Sequence, residues 1–151
     1  MAVTVTKPRF SLSLGGDWQE MQSPDPEVTM FNSQNHRANL VVSAMGLTAT
    51  LADTGQIAER LINLRMDSEK QVAAETGIDM TIAKPRIVQQ PWGHATAYYG
   101  VDANGRMFNF SGMVTPKQSI GVYVESNKLS EESLRELLEQ VLVKLRFDLG
   151  A

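Results

Sequence analysis

The sequence contains no cysteine, which excludes disulfides, thiolate catalysis and cysteine-based metal sites. It has no long apolar run, so a membrane-spanning helix is not expected. Charge of either sign is scarce in excess: 14 basic against 17 acidic side chains give a net charge of −3. No general attraction to nucleic acid or to an anionic membrane follows from that balance. There are only two histidines, His36 and His94, far apart and without a carboxylate ladder, so a zinc site is not expected. No GxGxxG, phosphate-binding loop or GxSxG elbow occurs. The opening MAVTVTKPRFSLSL lacks a basic segment followed by an apolar run and does not read as a signal peptide. With Met1 as the native start, this predicts a cytoplasmic protein without stable membrane insertion. No cofactor is expected.

What is present is ordinary globular composition over 151 residues, 42% hydrophobic, read as one domain spanning 1–151. Phe10, Leu12 and Leu14 alternate with serines, the period of a half-buried strand closed by Gly15-Gly16-Asp17. Val28–Ser33 and Ala38–Leu47 read as further strands. Asp53–Thr76 reads as a helix, with Asp53 as N-cap, Gln56 as its capping-box partner and Gly77 ending it. Its apolar stripe is Ile57, Leu61, Leu64 and Val72, with Ala58 and Ile62 beside it. Met80–Gln90 reads as extended chain interrupted at Pro85. Ser119–Glu125 reads as a strand with Ile120, Val122 and Val124 on one side. Ser130–Phe147 reads as a second helix, capped by Ser130, with Leu134, Leu137, Leu138, Val141, Leu142 and Leu145 as its stripe. Each helix has one apolar stripe and can cover a sheet. The fold class is therefore α+β: an antiparallel sheet of about six or seven strands flanked by two main helices.

The stretch HATAYYGVDANGRMFNFSGMV, residues 94–114, reads as a hairpin. Taking Asn104-Gly105 as a two-residue type I′ loop pairs Val101 with Phe108, Tyr99 with Phe110, Ala97 with Gly112 and Ala95 with Val114. That set is apolar and reads as core. The other set is His94, Thr96, Tyr98, Met107, Asn109, Ser111 and Met113, joined by Tyr123 and, from the strand at 38–47, by Asn39, Val41, Ser43 and Met45. A charge-poor face of tyrosine and methionine suits an apolar or amphipathic protein partner. The predicted partner-binding residues are Thr96, Tyr98, Met107, Asn109, Ser111, Met113 and Tyr123. The same face also reads as a second core layer under the first helix. Trp18 and Trp92 read as plugs at the ends of the sandwich. Two other functions compete. One is an immunity or adaptor protein using the proline-rich loop at 20–37. The other is a small hydrolase with His94 as general base beside Tyr98, Asn109 or Glu125, a weaker reading because a lone strand histidine is usually only hydrogen-bonded. No catalytic residue is assigned.

The succession FSLSLGGDW, IAERLINLRMDSEKQV, PWGHATAYYG and SEESLRELLEQVLVKLRF resembles the PsbP-like α/β sandwich group, from Phe10 to Phe147. That group includes DcrB-like bacterial proteins, a eukaryotic Ran-binding nuclear import factor and the effector-associated chaperones of bacterial type VI secretion. The resemblance implies binding rather than catalysis. For the secretion chaperones it implies a cytoplasmic, often dimeric protein holding apolar helices of a partner against a sheet, so a homodimer is compatible with it.

Overall fold

The computed structural model describes residues 3–147, so Met1, on which the localisation expectation rests, lies outside them. The strands are β1 (Val3–Thr6), β2 (Ser11–Leu14), β3 (Gln19–Met21), β4 (Val28–Ser33), β5 (Ala38–Gly46), β6 (Met80–Ile82), β7 (Arg86–Gln90), β8 (Gly93–Asp102), β9 (Met107–Val114), β10 (Gln118–Ser126) and β11 (Leu145–Arg146). The helices are α1 (Thr54–Thr76) and α2 (Glu131–Lys144). The α+β class holds, with more strands than the sequence suggested. One antiparallel sheet runs β3-β4-β5-β10-β9-β8-β6, with β7 also paired to β8, and a small second sheet runs β1-β2-β11. Pro85 separates β6 from β7 where the chain was expected to break.

Both faces of the large sheet carry a core. On one, α2 and the small sheet cover Leu40, Val42, Ile120, Val122 and Val124 with the expected leucine stripe. Ser130 caps α2 by accepting the amide of Ser133. The helix stops at Lys144 rather than Phe147, because Leu145 turns extended and pairs with Leu12 of β2. Trp18 is buried in this core, whereas Trp92 is only half-buried in the β7–β8 turn. On the other face α1 packs on β8 and β9, over Tyr98, Phe108 and Phe110.

Two expectations about α1 are corrected. Asp53 holds the N-cap position of α1 as expected but makes no side-chain cap bond; instead the Thr50 hydroxyl accepts the Asp53 amide at the head of a 3-10 turn over Leu51–Asp53 that leads into the helix. Its buried residues are Thr54, Ala58 and Ile62, while Leu64 is 59% and Val72 43% exposed. The stripe predicted to be core is not the one the fold buries. The segment 20–37 is likewise mostly β3, β4 and the turn after it, so only its 22–27 part is a loop.

The hairpin register also differs from the reading above. Observed pairs are Val101 with Met107, Tyr99 with Asn109 and Tyr98 with Phe110. The connection is a three-residue loop, Ala103-Asn104-Gly105, closed by Gly105 N–H to the Asp102 carbonyl at 3.1 Å. Only Gly105 has positive φ (84°), so the turn is type I with a glycine bulge and not type I′. Asp102 decides this. Its Oδ1 accepts the amides of Asn104 (2.9 Å) and Arg106 (3.0 Å), and its Oδ2 accepts Arg106 Nε at 3.1 Å.

Candidate functional site

The one-residue shift flips β8 relative to β9 and divides the predicted binding set between opposite faces. Thr96, Tyr98 and Tyr123 lie on the α1 side. Thr96 is buried, and its hydroxyl occupies the space a side chain at Gly112 would need. Tyr98 is 3% exposed, stacked on Phe110 with ring centroids 5.2 Å apart, and burial pushes its hydroxyl up to about 12. Tyr123 stacks on Phe108 and accepts a hydrogen bond from Arg106 at 2.9 Å. Met107, Asn109, Ser111 and Met113 lie on the α2 side and are half-buried. Met107 packs against the main core, while Asn109 and Ser111 border a shallow depression beside Tyr99, itself 50% exposed. The seven residues therefore do not form one surface, and Tyr98 is a core residue.

The strand residues Asn39, Val41, Ser43 and Met45 do share a face, and that face is open. They lie on the α1 side of β5, but α1 sits over β8 and β9. Val28 and Met30 of β4 continue the same side, and Met21 at the β3 edge is 48% exposed. The flank of α1 that overlooks this half carries Leu61 and Leu64, and by helical spacing Ile57 and Val72 continue their stripe beyond either end of the groove. A groove of about 320 Å³ runs between them, walled by Val28, Met45, Leu61 and Leu64 and floored by Phe110 and Gly121.

The floor follows from glycine. Gly112 and Gly121 face each other across β9 and β10, and a Cβ at either position would come within 2.9 Å of the Phe110 ring. Phe110 lies flat over both, and the Arg65 guanidinium stacks on it, 4.0 Å from its centroid. Arg65 also donates to Ser43 Oγ at 2.9 Å.

One helical turn beyond Arg65, a separate depression is lined by a charged cluster of Glu69, Asp102, Arg106 and Glu125 with Tyr123. Arg106 bonds Glu125 at 2.6 Å and Asp102 at 3.1 Å, and lies 4.0 Å from Glu69. Burial opposes the charge on Arg106, but the surrounding Tyr123 and Glu125 hold its proton more tightly than usual. Burial also raises Glu69 above the ordinary glutamate range; Arg106 opposes the shift and Glu125 adds to it. Asp102 stays below its ordinary value because hydrogen bonds from the Arg106 backbone and side chain outweigh desolvation.

Two arrangements look catalytic at first sight. His94 Nδ1 lies 2.9 Å from Thr54 Oγ1. The single hydroxyl proton of Thr54 points to the Leu51 carbonyl at 2.8 Å, so the proton of the His94 contact sits on Nδ1. His94 thus anchors the start of α1. The partners proposed for it are scattered: Asn109 is on the opposite face and Glu125 is held by Arg106. In the other arrangement Ser33 bonds both Asp17 and His36, but the serine proton goes to the carboxylate and not to the histidine. That is the reverse of what a nucleophile needs. Asp17 also accepts the Asn35 amide, and the group fixes the β4–β5 turn, where Trp18 stacks on His36. Among the described residues no cluster of His, Asp and Glu is placed to hold a metal ion, and no helix is long and apolar enough to cross a membrane.

The arrangement of layers matches a known structure. The solution structure of cyanobacterial PsbP (CyanoP) from Synechocystis sp. PCC 6803 is similar with a TM-score of 0.66, over 98% of this chain and 92% of that one, at 13% identity. The fold is PsbP-like. A crystal structure from Bacteroides thetaiotaomicron VPI-5482 is similar with a TM-score of 0.49 and 17% identity, over 92% of this chain and 45% of that one. No family model and no curated protein matches the sequence. At this identity the PsbP-like likeness concerns the fold, and the open half-sheet beside α1 is a feature of this chain's own residues.

Proposed function

We propose that this PsbP-like chain is a non-enzymatic protein-binding protein, a cytoplasmic chaperone or adaptor that holds an apolar segment of a partner. The type VI secretion effector chaperones named above are the functional analogy for this reading. The observation that carries the reading is the second apolar stripe of α1. Ile57, Leu61, Leu64 and Val72 repeat at helical spacing, yet the chain's own fold leaves Leu64 and Val72 largely exposed beside a half-sheet bearing Val28, Met30, Val41 and Met45. A stripe of this kind gains burial only from something laid against it. Methionine adapts to varied aliphatic partners, which suits a holding role. The binding set shifts accordingly to this groove, whose lining retains Thr96 and Met113 of the residues predicted from the hairpin.

The test is a paired substitution, Leu61→Glu with Leu64→Glu, in the full chain. The variant is expected to keep the wild-type circular dichroism spectrum and to lose binding of a fluorescent leucine-rich helical peptide. A folded variant that binds the peptide as wild type does removes the reading.

A further inference from the structure

Resting on that binding reading, we infer that the groove selects a segment carrying a carboxylate among its aliphatic residues, and that Arg65 is the residue that receives it. Arg65 lies on the flank of α1 between Leu61, Leu64 and Ser68, all of which line the groove with it. It is half-buried, and its contacts are the Ser43 hydroxyl, the Tyr98 hydroxyl and the Phe110 ring. Among the described residues no carboxylate comes within 4.0 Å of it. Glu69, one helical turn on, attracts Arg65 through space but has its ion-pair contact with Arg106, at 4.0 Å, and the Asp25 and Glu27 carboxylates at the groove rim make no ion pair with Arg65. Glu69 offsets the Arg65 charge only at a distance, and a partly desolvated guanidinium without a directly bonded carboxylate, held flat by an aromatic ring, presents its remaining N–H groups in the fork that a carboxylate fits.

The occupant is a polypeptide rather than a small amphiphile. The apolar stripe from Ile57 to Val72 extends roughly 22 Å at the helical rise, longer than a small ligand fills. Arg65 sits near its middle, so the carboxylate belongs inside the aliphatic segment and not at its end.

The probe is a set of three synthetic leucine-rich peptides of about four helical turns, identical except for a central Glu, Gln or Lys. Binding to the purified full chain is read by fluorescence anisotropy. The Glu peptide is expected to bind about tenfold tighter than the Gln peptide, with the Lys peptide weakest, and the difference to shrink with added salt. Arg65→Gln is expected to bring the Glu and Gln peptides to the same affinity, while Arg65→Lys keeps part of the preference. Because the Glu and Gln peptides are compared on wild-type protein, the result does not depend on a variant folding. Equal binding of all three peptides, still abolished by Leu61→Glu with Leu64→Glu, overturns the role of Arg65 and leaves the binding reading standing. Loss of no binding on that double substitution overturns both. Decanoate binding that requires Arg65, without any preference for the Glu peptide, assigns the site to a small amphiphile and overturns the inference. So does self-association that Leu64→Glu abolishes, without any preference for the Glu peptide.

Discussion

Gly93 shows how closely a single residue can be fixed. Its φ is 147°, and a Cβ there would sit 1.9 Å from the Val114 carbonyl oxygen, which the backbone of β9 cannot move away. Gly93→Ala is expected to destabilise the fold by more than about 2 kcal/mol, measured by urea denaturation. Asp102 acts through charge as well as position, holding the hairpin loop with three hydrogen bonds. Its pKa is held down in the folded state, so its stabilisation is present above the ordinary aspartate range and is lost as pH falls through the depressed value. Asp102→Asn is therefore expected to cost about 1–3 kcal/mol at neutral pH, with the gap to wild type closing in acid. The sequence carried this signal: Asp-Ala-Asn-Gly has aspartate first and glycine fourth, the type I pattern, and competes with the type I′ reading of Asn-Gly.

At the scale of elements, α1 decides the most. Its residues Ala58 and Ile62 meet the sheet, and the stripe through Leu61 and Leu64 stands roughly a quarter turn away around the axis. Both stripes are readable at helical period, but periodicity alone does not say which one the sheet will take. Two substitutions, two positions apart and one in each stripe, separate the roles. Ile62→Ala is expected to cost about 2–4 kcal/mol in denaturant unfolding, whereas Leu64→Glu is expected to stay within about 0.5 kcal/mol of wild type. Helix α2 was legible for the opposite reason. Its leucines form one wide stripe with no second apolar choice, its cap is a serine, and its only surprise is the turn of Leu145 into β11.

For the whole molecule, the two helices lie on opposite faces of the sheet, one over β8 and β9 and the other over β9, β10 and β2. This offset is what leaves the half-sheet around β4 and β5 open on the α1 side. One helical turn from the groove stands a cluster in which Glu69 is raised and Asp102 lowered. A raised glutamate favours the folded state while protonated, and that contribution is lost as pH rises through its folded value. Glu69→Gln is thus expected to leave stability unchanged or slightly higher at neutral pH, and to lose any gain as pH falls into the usual carboxylate range. Urea midpoints across a pH series check this, and a clear loss at neutral pH would show that the Arg106 contact outweighs desolvation.

The local pattern of this chain, by itself, determined its α+β class, the strand at 28–33 and, to within one residue at its end, the strand beginning at Ala38, the break at Pro85, the cap and stripe of α2 and the exclusion of cysteine chemistry. Tertiary structure decided which face each β8 residue occupies, which stripe of α1 is core and that a second small sheet exists. The reason is physical. A one-residue change of register reverses every side chain of a strand, and the choice between two helical stripes depends on what stands opposite. Here that choice rests on Phe110 lying over two glycines beneath Arg65, an arrangement of residues distant in the chain.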